Sequence, residues 1–252
     1  MIINPYMFGV AIDPDAQAFL TAAGITDATI TSAVNTLTIS LKSNGIWNKM
    51  HAIYPFVGGT ATTHKFNLKN PADTDAAFRL TFFGGLTHSS NGITGNALNG
   101  YALTHLNAQT TILNNGAIGL YIRTNIAETA YDMTNLVGGT EQSIISRWST
   151  DLFYVNSGSA TYPNVANLDS KGFFIMTYNS RITGYKNGNS LITEMKASSG
   201  ANNTFKIGST GFSNYSSKNY AFSFISKDLN ATEVLSLQST VQTFQTSLGR
   251  QV

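Results

Sequence analysis

The run Phe173-Phe174-Ile175-Met176-Thr177-Tyr178, Ile182-Thr183-Gly184-Tyr185-Lys186, Asn187-Gly188 and Leu191-Ile192-Thr193 decides how this chain is read. Its three short stretches are rich in β-branched and aromatic residues, which suit a pleated, half-buried surface, so each is expected to be a strand. Asn-Gly between the second and third is the preferred pair for a type I′ turn, which makes those two strands a hairpin. Two more strands follow, Thr204-Phe205-Lys206-Ile207-Gly208 and Tyr220-Ala221-Phe222-Ser223-Phe224-Ile225. A helix closes the run. Asn230 stands at its N-cap with Glu233 three residues on, the layout of a capping box. Val234, Leu237, Val241, Phe244 and Leu248 form a narrow apolar seam, and Gly249 is the stop. The seam is expected to pack on an edge of the β body, or alternatively on a helix of a neighbouring subunit.

Outward from this run the pattern is the same. Segments 52–57, 76–83, 101–106, 118–123, 131–137, 142–147 and 151–155 are short, β-branched or aromatic, and bounded by Gly, Asn and Ser. Asn-Gly recurs at 44–45, 91–92, 99–100, 115–116 and 187–188. Many short strands without a βαβ alternation predict an antiparallel sandwich or barrel. Residues 1–50 differ. Asp13-Pro14 opens a helix with Ala16, Phe19, Leu20 and Ala23 on one face and Gly24 as its end. A second helix starts near Asp27, carries Ile30, Val34, Leu37 and Leu41, and stops at Asn44-Gly45.

Taken in order, Tyr185-Lys186-Asn187-Gly188, Ile207-Gly208, the last strand and Leu229-Asn230-Ala231-Thr232-Glu233 resemble the concanavalin A-like lectin/glucanase superfamily of LamG type. The resemblance implies a mainly β fold: an antiparallel β-sandwich (a concanavalin A-like jelly roll) over 51–252 with its closing amphipathic helix. Residues 1–50 are then an N-terminal helical hairpin added to it. A second likeness lies in Gly45-Ile46-Trp47-Asn48-Lys49-Met50, Ile53-Tyr54-Pro55-Phe56-Val57-Gly58-Gly59, His64-Lys65-Phe66-Asn67-Leu68-Lys69 and Asp75-Ala76-Ala77-Phe78-Arg79-Leu80. These blocks, with the tail from Phe244 to Val252, are similar to virion proteins of tailed phages of Bacteroidetes-type bacteria. That likeness implies a non-enzymatic virion structural protein in a head or tail fibre, decoration layer or baseplate. Its partners would be other virion subunits, including copies of itself, after synthesis in the bacterial host cytoplasm. The alternative is an adhesin that holds a host cell-surface polysaccharide; the third reading is an enzyme that degrades such a glycan.

Composition narrows the setting. Charged residues are 11% of the 252, well under the roughly 25% of ordinary soluble proteins, so Asn, Ser, Thr and Gln must make the surface polar. A net charge of +2 without a basic run argues against nucleic acid or an anionic membrane as partner. Cysteine is absent, which excludes a disulfide framework or a thiolate nucleophile. Met1-Ile2-Ile3-Asn4-Pro5 lacks the basic and apolar regions of a signal peptide, and no apolar run is long enough to insert in a membrane.

Chemistry is sparse. A glucanase of this superfamily needs carboxylates at i, i+2 and i+4 on one strand face. Glu128, Glu141, Glu194 and Glu233 are the only glutamates, and Glu128 with Asp132 is the nearest approach to that motif. Asp13 and Asp15 read as helix-capping residues, and Asp73 and Asp75 as turn residues that offer at most a structural calcium ion. No catalytic residue, metal ligand or cofactor is expected. Sugar binding remains, since sugars lie on exposed aromatic planes with Asn or Gln at their hydroxyls. Asn91, Asn99 and Tyr101 in one polar loop, Trp148 after a strand, and Tyr162 in the 156–167 loop are the candidate glycan-binding residues.

Overall fold

The structure, a computed structural model, describes residues 11–112, 115–158, 162–195 and 201–252. The Met1–Pro5 stretch and positions 159–161 of the 156–167 loop, on which two of the expectations above bear, lie outside these residues. In chain order the strands are β1 (Met50–Tyr54), β2 (Thr81–Phe83), β3 (Thr87–Ser89), β4 (Gly92–Thr94) and β5 (Tyr101–Asn107). Next come β6 (Gly116–Ile122), β7 (Met133–Thr134), β8 (Gln142–Ile145), β9 (Leu152–Ser157) and β10 (Asn164–Ala166). The last five are β11 (Gly172–Tyr178), β12 (Arg181–Lys186), β13 (Asn189–Met195), β14 (Thr204–Ile207) and β15 (Asn219–Ser226). Helices α1 (Pro14–Ala23) and α2 (Ala28–Ser43) precede them, α3 (Ala61–His64) and α4 (Ala108–Thr111) are single turns, and α5 (Ala231–Ser247) follows.

Two antiparallel sheets form a β-sandwich. One has eight strands in the order β13-β12-β11-β6-β15-β4-β3, with β1 on the same edge of β15 as β4. The other has seven, in the order β10-β9-β8-β7-β14-β5-β2. Between them Ile118, Leu120, Ile122, Phe174, Met176, Phe153, Val155, Phe205 and Ile207 make one core. The second face of the eight-stranded sheet is covered too: Tyr121, Phe173, Ile175, Phe222 and Phe224 lie under α1, α2 and α5. This third layer explains why β6, β11 and β15 are buried along their whole length and read as continuous rather than alternating apolar runs.

The helices form as their local chemistry dictates. Asp13 caps α1 by accepting from Asp15 N at 3.0 Å, and Lys42 Nζ lies 2.6 Å from both Asp13 and Asp15. Asp27 caps α2. At α5 the capping box is complete, with Glu233 N donating to Asn230 Oδ1 and Asn230 N to Glu233 Oε2. Gly249 follows at φ +65°, and Arg250 N returns to Gln245 O. The seam of α5 lies on the face of the eight-stranded sheet, not its edge. Phe244 meets Phe222 edge-on at 6.1 Å, and Thr240 accepts from Asn44 at the end of this chain's own α2.

Some local expectations fail for identifiable reasons. Segment 76–83 is a strand only from Thr81, because Asp75–Ala77 forms a 3-10 turn and Phe78 takes a left-handed backbone. Segment 131–137 keeps two strand residues: on either side of them the Asp132 and Asn135 side chains accept from the backbone N–H groups of Ser146 and Gln142, and Val137 pairs with Thr140 in a tight turn. Of the Asn-Gly pairs, Asn187-Gly188 has both φ positive, as a type I′ hairpin requires. At the β3–β4 hairpin the two-residue loop is Ser90-Asn91, and Gly92 is needed because a Cβ there would strike Tyr220 O.

Candidate functional site

The face of the seven-stranded sheet turned away from the core is the face the helices leave free. Strand alternation puts Phe153 and Val155 inward, so Leu152, Tyr154 and Asn156 point outward from β9. Ile145 does the same on β8, opposite the core residue Ile144. Register aligns Ile145, Tyr154 and Asn164 in one row across β8, β9 and β10. Over this row Tyr131, Trp148 and Tyr162 close an open pocket of about 420 Å³, a volume in the range of small-ligand sites. Trp148 meets Tyr131 at 6.2 Å and 81°, and Tyr154 at 6.4 Å and 79°. The loop that carries Trp148 is tied down by Trp148 N donating to Leu152 O and by Asp151 at φ +61°.

The adjacent row is polar. Asn156, Ser143, Thr134 and Lys206 stand side by side across β9, β8, β7 and β14. Glu141, just before β8, is fully buried beside them and accepts from Asn156 Nδ2 at 2.8 Å. Tyr162 donates its hydroxyl to Glu141, and Tyr131 donates to Tyr162, so two walls of the pocket hang on this carboxylate. Burial raises the Glu141 pKa above the ordinary carboxylate value, against its hydrogen bonds, which lower it. Burial likewise raises those of Tyr131 and Tyr162, with Glu141 adding to the effect.

Of the candidate residues, Trp148 and Tyr162 come together in this pocket. Tyr101 does not join them. It lies on β5, four strand spacings from β9 or ~19 Å, where it stacks on Phe83 at 4.8 Å with Tyr215 at 6.3 Å. Asn99 is spent on a turn, accepting from Gly85 N and Asn96 Nδ2. Asn91 sits in the β3–β4 hairpin of the other sheet, its N–H on Ser89 Oγ. Sequence reasoning missed Tyr131, Tyr154, Ile145 and Glu141. The alternation Leu152, Tyr154, Asn156 after Trp148 is the signal that would have revealed Tyr154.

The carboxylate pairs weighed above are committed elsewhere. Glu128 and Asp132 converge, but on the buried Lys218, at 3.5 and 3.2 Å. Asp73 pairs with Lys65 and Arg79, and Asp75 with Arg79. Among the described residues no three His, Cys, Asp or Glu are grouped to hold a metal ion. Among them too, no helix is long and apolar enough to cross a membrane.

No family model matches the chain. No curated protein matches its sequence. Solved structures do resemble its fold. A mutant Trypanosoma rangeli sialidase with trans-sialidase activity aligns with a TM-score of 0.58 at 11% identity, over 85% of this chain and 39% of the sialidase. Botulinum neurotoxin type C, whose cell entry is described as dependent upon interaction with two ganglioside molecules, aligns at 0.58 and 12%, over 79% of this chain and 53% of that one. Domain 4 of a GH43 extracellular arabinanase from Geobacillus stearothermophilus, solved with arabinotriose, aligns at 0.50 and 13%, over 75% of this chain and 98% of the domain. The chain thus spans nearly all of the arabinanase domain but about two fifths of the sialidase and half of the toxin chain. At these identities the likeness establishes the fold alone, a β-sandwich.

Proposed function

We propose that the chain is a non-catalytic carbohydrate-binding module of a phage virion, which holds a host surface glycan in the pocket of Tyr131, Trp148, Tyr154 and Tyr162. The carrying observation is that pocket: four half-buried aromatic side chains around an open cavity on the sheet face away from the helices, with the exposed Asn164 at its rim. Aromatic rings take the apolar faces of sugars, and an amide orients their hydroxyls. Two of the aligned proteins are described with arabinotriose or ganglioside partners, which favours the same class of ligand. The non-catalytic part is supported by Glu128 and Asp132 being turned to Lys218. The virion setting rests on the sequence blocks from Gly45 to Leu80 and on the neutral, Asn- and Ser-rich surface. As a virion structural protein the chain would also contact copies of itself and other subunits.

The test is light scattering of the purified protein with and without host surface polysaccharide, beside Trp148→Ala. Binding by the parent, lost in a variant with unchanged melting, is the expected result. Equal binding by both would remove the pocket from the proposal, and no binding by either would remove the glycan.

A further inference from the structure

The pocket is shaped as a box rather than as a platform. Tyr131 and Tyr154 each stand within about ten degrees of perpendicular to Trp148, at 81° and 79°, so these rings form the walls of a box instead of one continuous platform. Its lining carries no charge: Tyr131, Ile145, Trp148, Tyr154, Tyr162 and Asn164. Behind it stands Glu141, fully buried and linked to the pocket through the Tyr162 and Tyr131 hydroxyls. Among the described residues no cationic side chain forms an ion pair with Glu141. Arg147, next to Trp148, is already held, its guanidinium 2.7 Å from Asp151 and donating to Asn125 at 2.8 Å; Lys206, in the polar row, turns its ammonium to Thr204 O at 3.5 Å. Ring faces are negative, and several of them around one cavity favour a cation, most of all one too weakly hydrated to prefer water. A buried carboxylate that no described cation pairs with adds attraction of the same sign.

The geometry points to a cation-selective pocket: Tyr131, Trp148, Tyr154 and Tyr162, backed by Glu141, receive an alkylammonium group, as an amino sugar or a choline substituent carries it. This rests on the glycan reading above for its location, and it narrows the ligand to a positively charged one. Burial raises the Glu141 pKa, and a bound ammonium would act against that by favouring the charged carboxylate.

The chain has two tryptophans, and Trp47 lies in the core under the helices, so its indole N–H resonance is an internal control for that of Trp148. Both are followed at neutral pH and fixed ionic strength during titration with choline chloride, glucosamine and the uncharged N-acetylglucosamine. The expected result is that choline and glucosamine shift the Trp148 signal alone, with glucosamine at least about tenfold tighter than N-acetylglucosamine. Glu141→Gln, which keeps the shape, and Trp148→Ala should each weaken both cations about tenfold, on the scale of ~1–2 kcal/mol for a desolvated cation–aromatic contact. N-acetylglucosamine binding as well as glucosamine would overturn the cation inference and leave the glycan reading standing. Choline binding without either sugar would support the cage while counting against the glycan reading. Silence from all three overturns the cage.

Discussion

The Lys218 ammonium stands 3.2 Å from Oδ1 of Asp132, and both side chains are wholly buried. Around them Tyr220 donates to Asp132 Oδ1 at 2.8 Å, Ser146 N donates to Oδ2 at 2.6 Å, and Glu128 lies 3.5 Å from the same ammonium. This cluster joins β15 and the segment before it to the approach to β7, and so ties the two sheets together. Removing one partner of a buried pair leaves an uncompensated charge, which costs ~3–5 kcal/mol. Asp132→Ala should lose that much in urea denaturation. The double variant Lys218→Met/Asp132→Leu should recover a good part of it, and a double variant no better than the single one would contradict this account.

His64 supplies a pH dependence. Its Nε2 accepts from Gly59 N at 3.2 Å and its Nδ1 is bonded to His88 Nδ1 at 3.0 Å, in a site almost closed to solvent. Burial foremost, then His88 and Arg250, hold its pKa down to about 3 from 6.5. The unfolded chain therefore takes up a proton near pH 6.5 that the folded chain refuses until about pH 3. Stability attached to this group is complete above the upper value and is lost as pH falls towards the lower one, by up to ~1.4 kcal/mol per unit. His64→Gln should flatten the dependence of the urea midpoint across that window, even if it lowers the midpoint itself. His88 and His51, also held down by burial, leave a smaller slope behind.

Helix α5 is anchored by Leu237 and Phe244, both essentially buried against the outer face of the eight-stranded sheet. Truncating a buried leucine or phenylalanine removes transfer energy and leaves a cavity, at a cost of ~3–5 kcal/mol. Leu237→Ala and Phe244→Ala should each lower the melting temperature by many degrees. Thermal midpoints within a degree of the parent would mean that the helix contributes little to the fold.

Gly119, in the centre of β6, has no room for a side chain. A Cβ there would strike the Phe224 ring and lie 2.8 Å from Phe174 O. Overpacking of this kind costs ~1–3 kcal/mol, so Gly119→Ala should be clearly less stable. Gly138→Ala, at φ +57° in open space, should lose only ~1 kcal/mol, the cost of the left-handed backbone. Comparing the two in parallel separates crowding from backbone strain.

Legibility in the sequence followed the range of the interaction. Helix caps, the Asn187-Gly188 hairpin and the central strands were readable because each depends on residues a few positions apart: a side-chain oxygen on a nearby N–H, or a turn that needs positive φ. Trp148 and Tyr162 were recognisable as amphipathic side chains near strand ends. That Tyr101 stacks on Phe83 instead, and that Asn91 and Asn99 serve turns, depends on where β5 and the β3–β4 hairpin dock.

By itself, the sequence determined the class of the fold: short apolar strands broken by Gly and Asn admit a sandwich, and the 3-and-4 spacing of Val234, Leu237, Val241 and Phe244 admits a one-faced helix. Tertiary structure alone decided which sheet face the helices cover. Helices α1, α2 and α5 cover the eight-stranded sheet, so the outward row Ile145, Tyr154 and Asn164 of the other sheet is left to form the pocket. Glu128, Asp132 and Lys218 meet in the same way, from positions up to 90 residues apart in the chain. Strand pairing and layer order are long-range choices, set by which faces can bury together, and no local spacing encodes them.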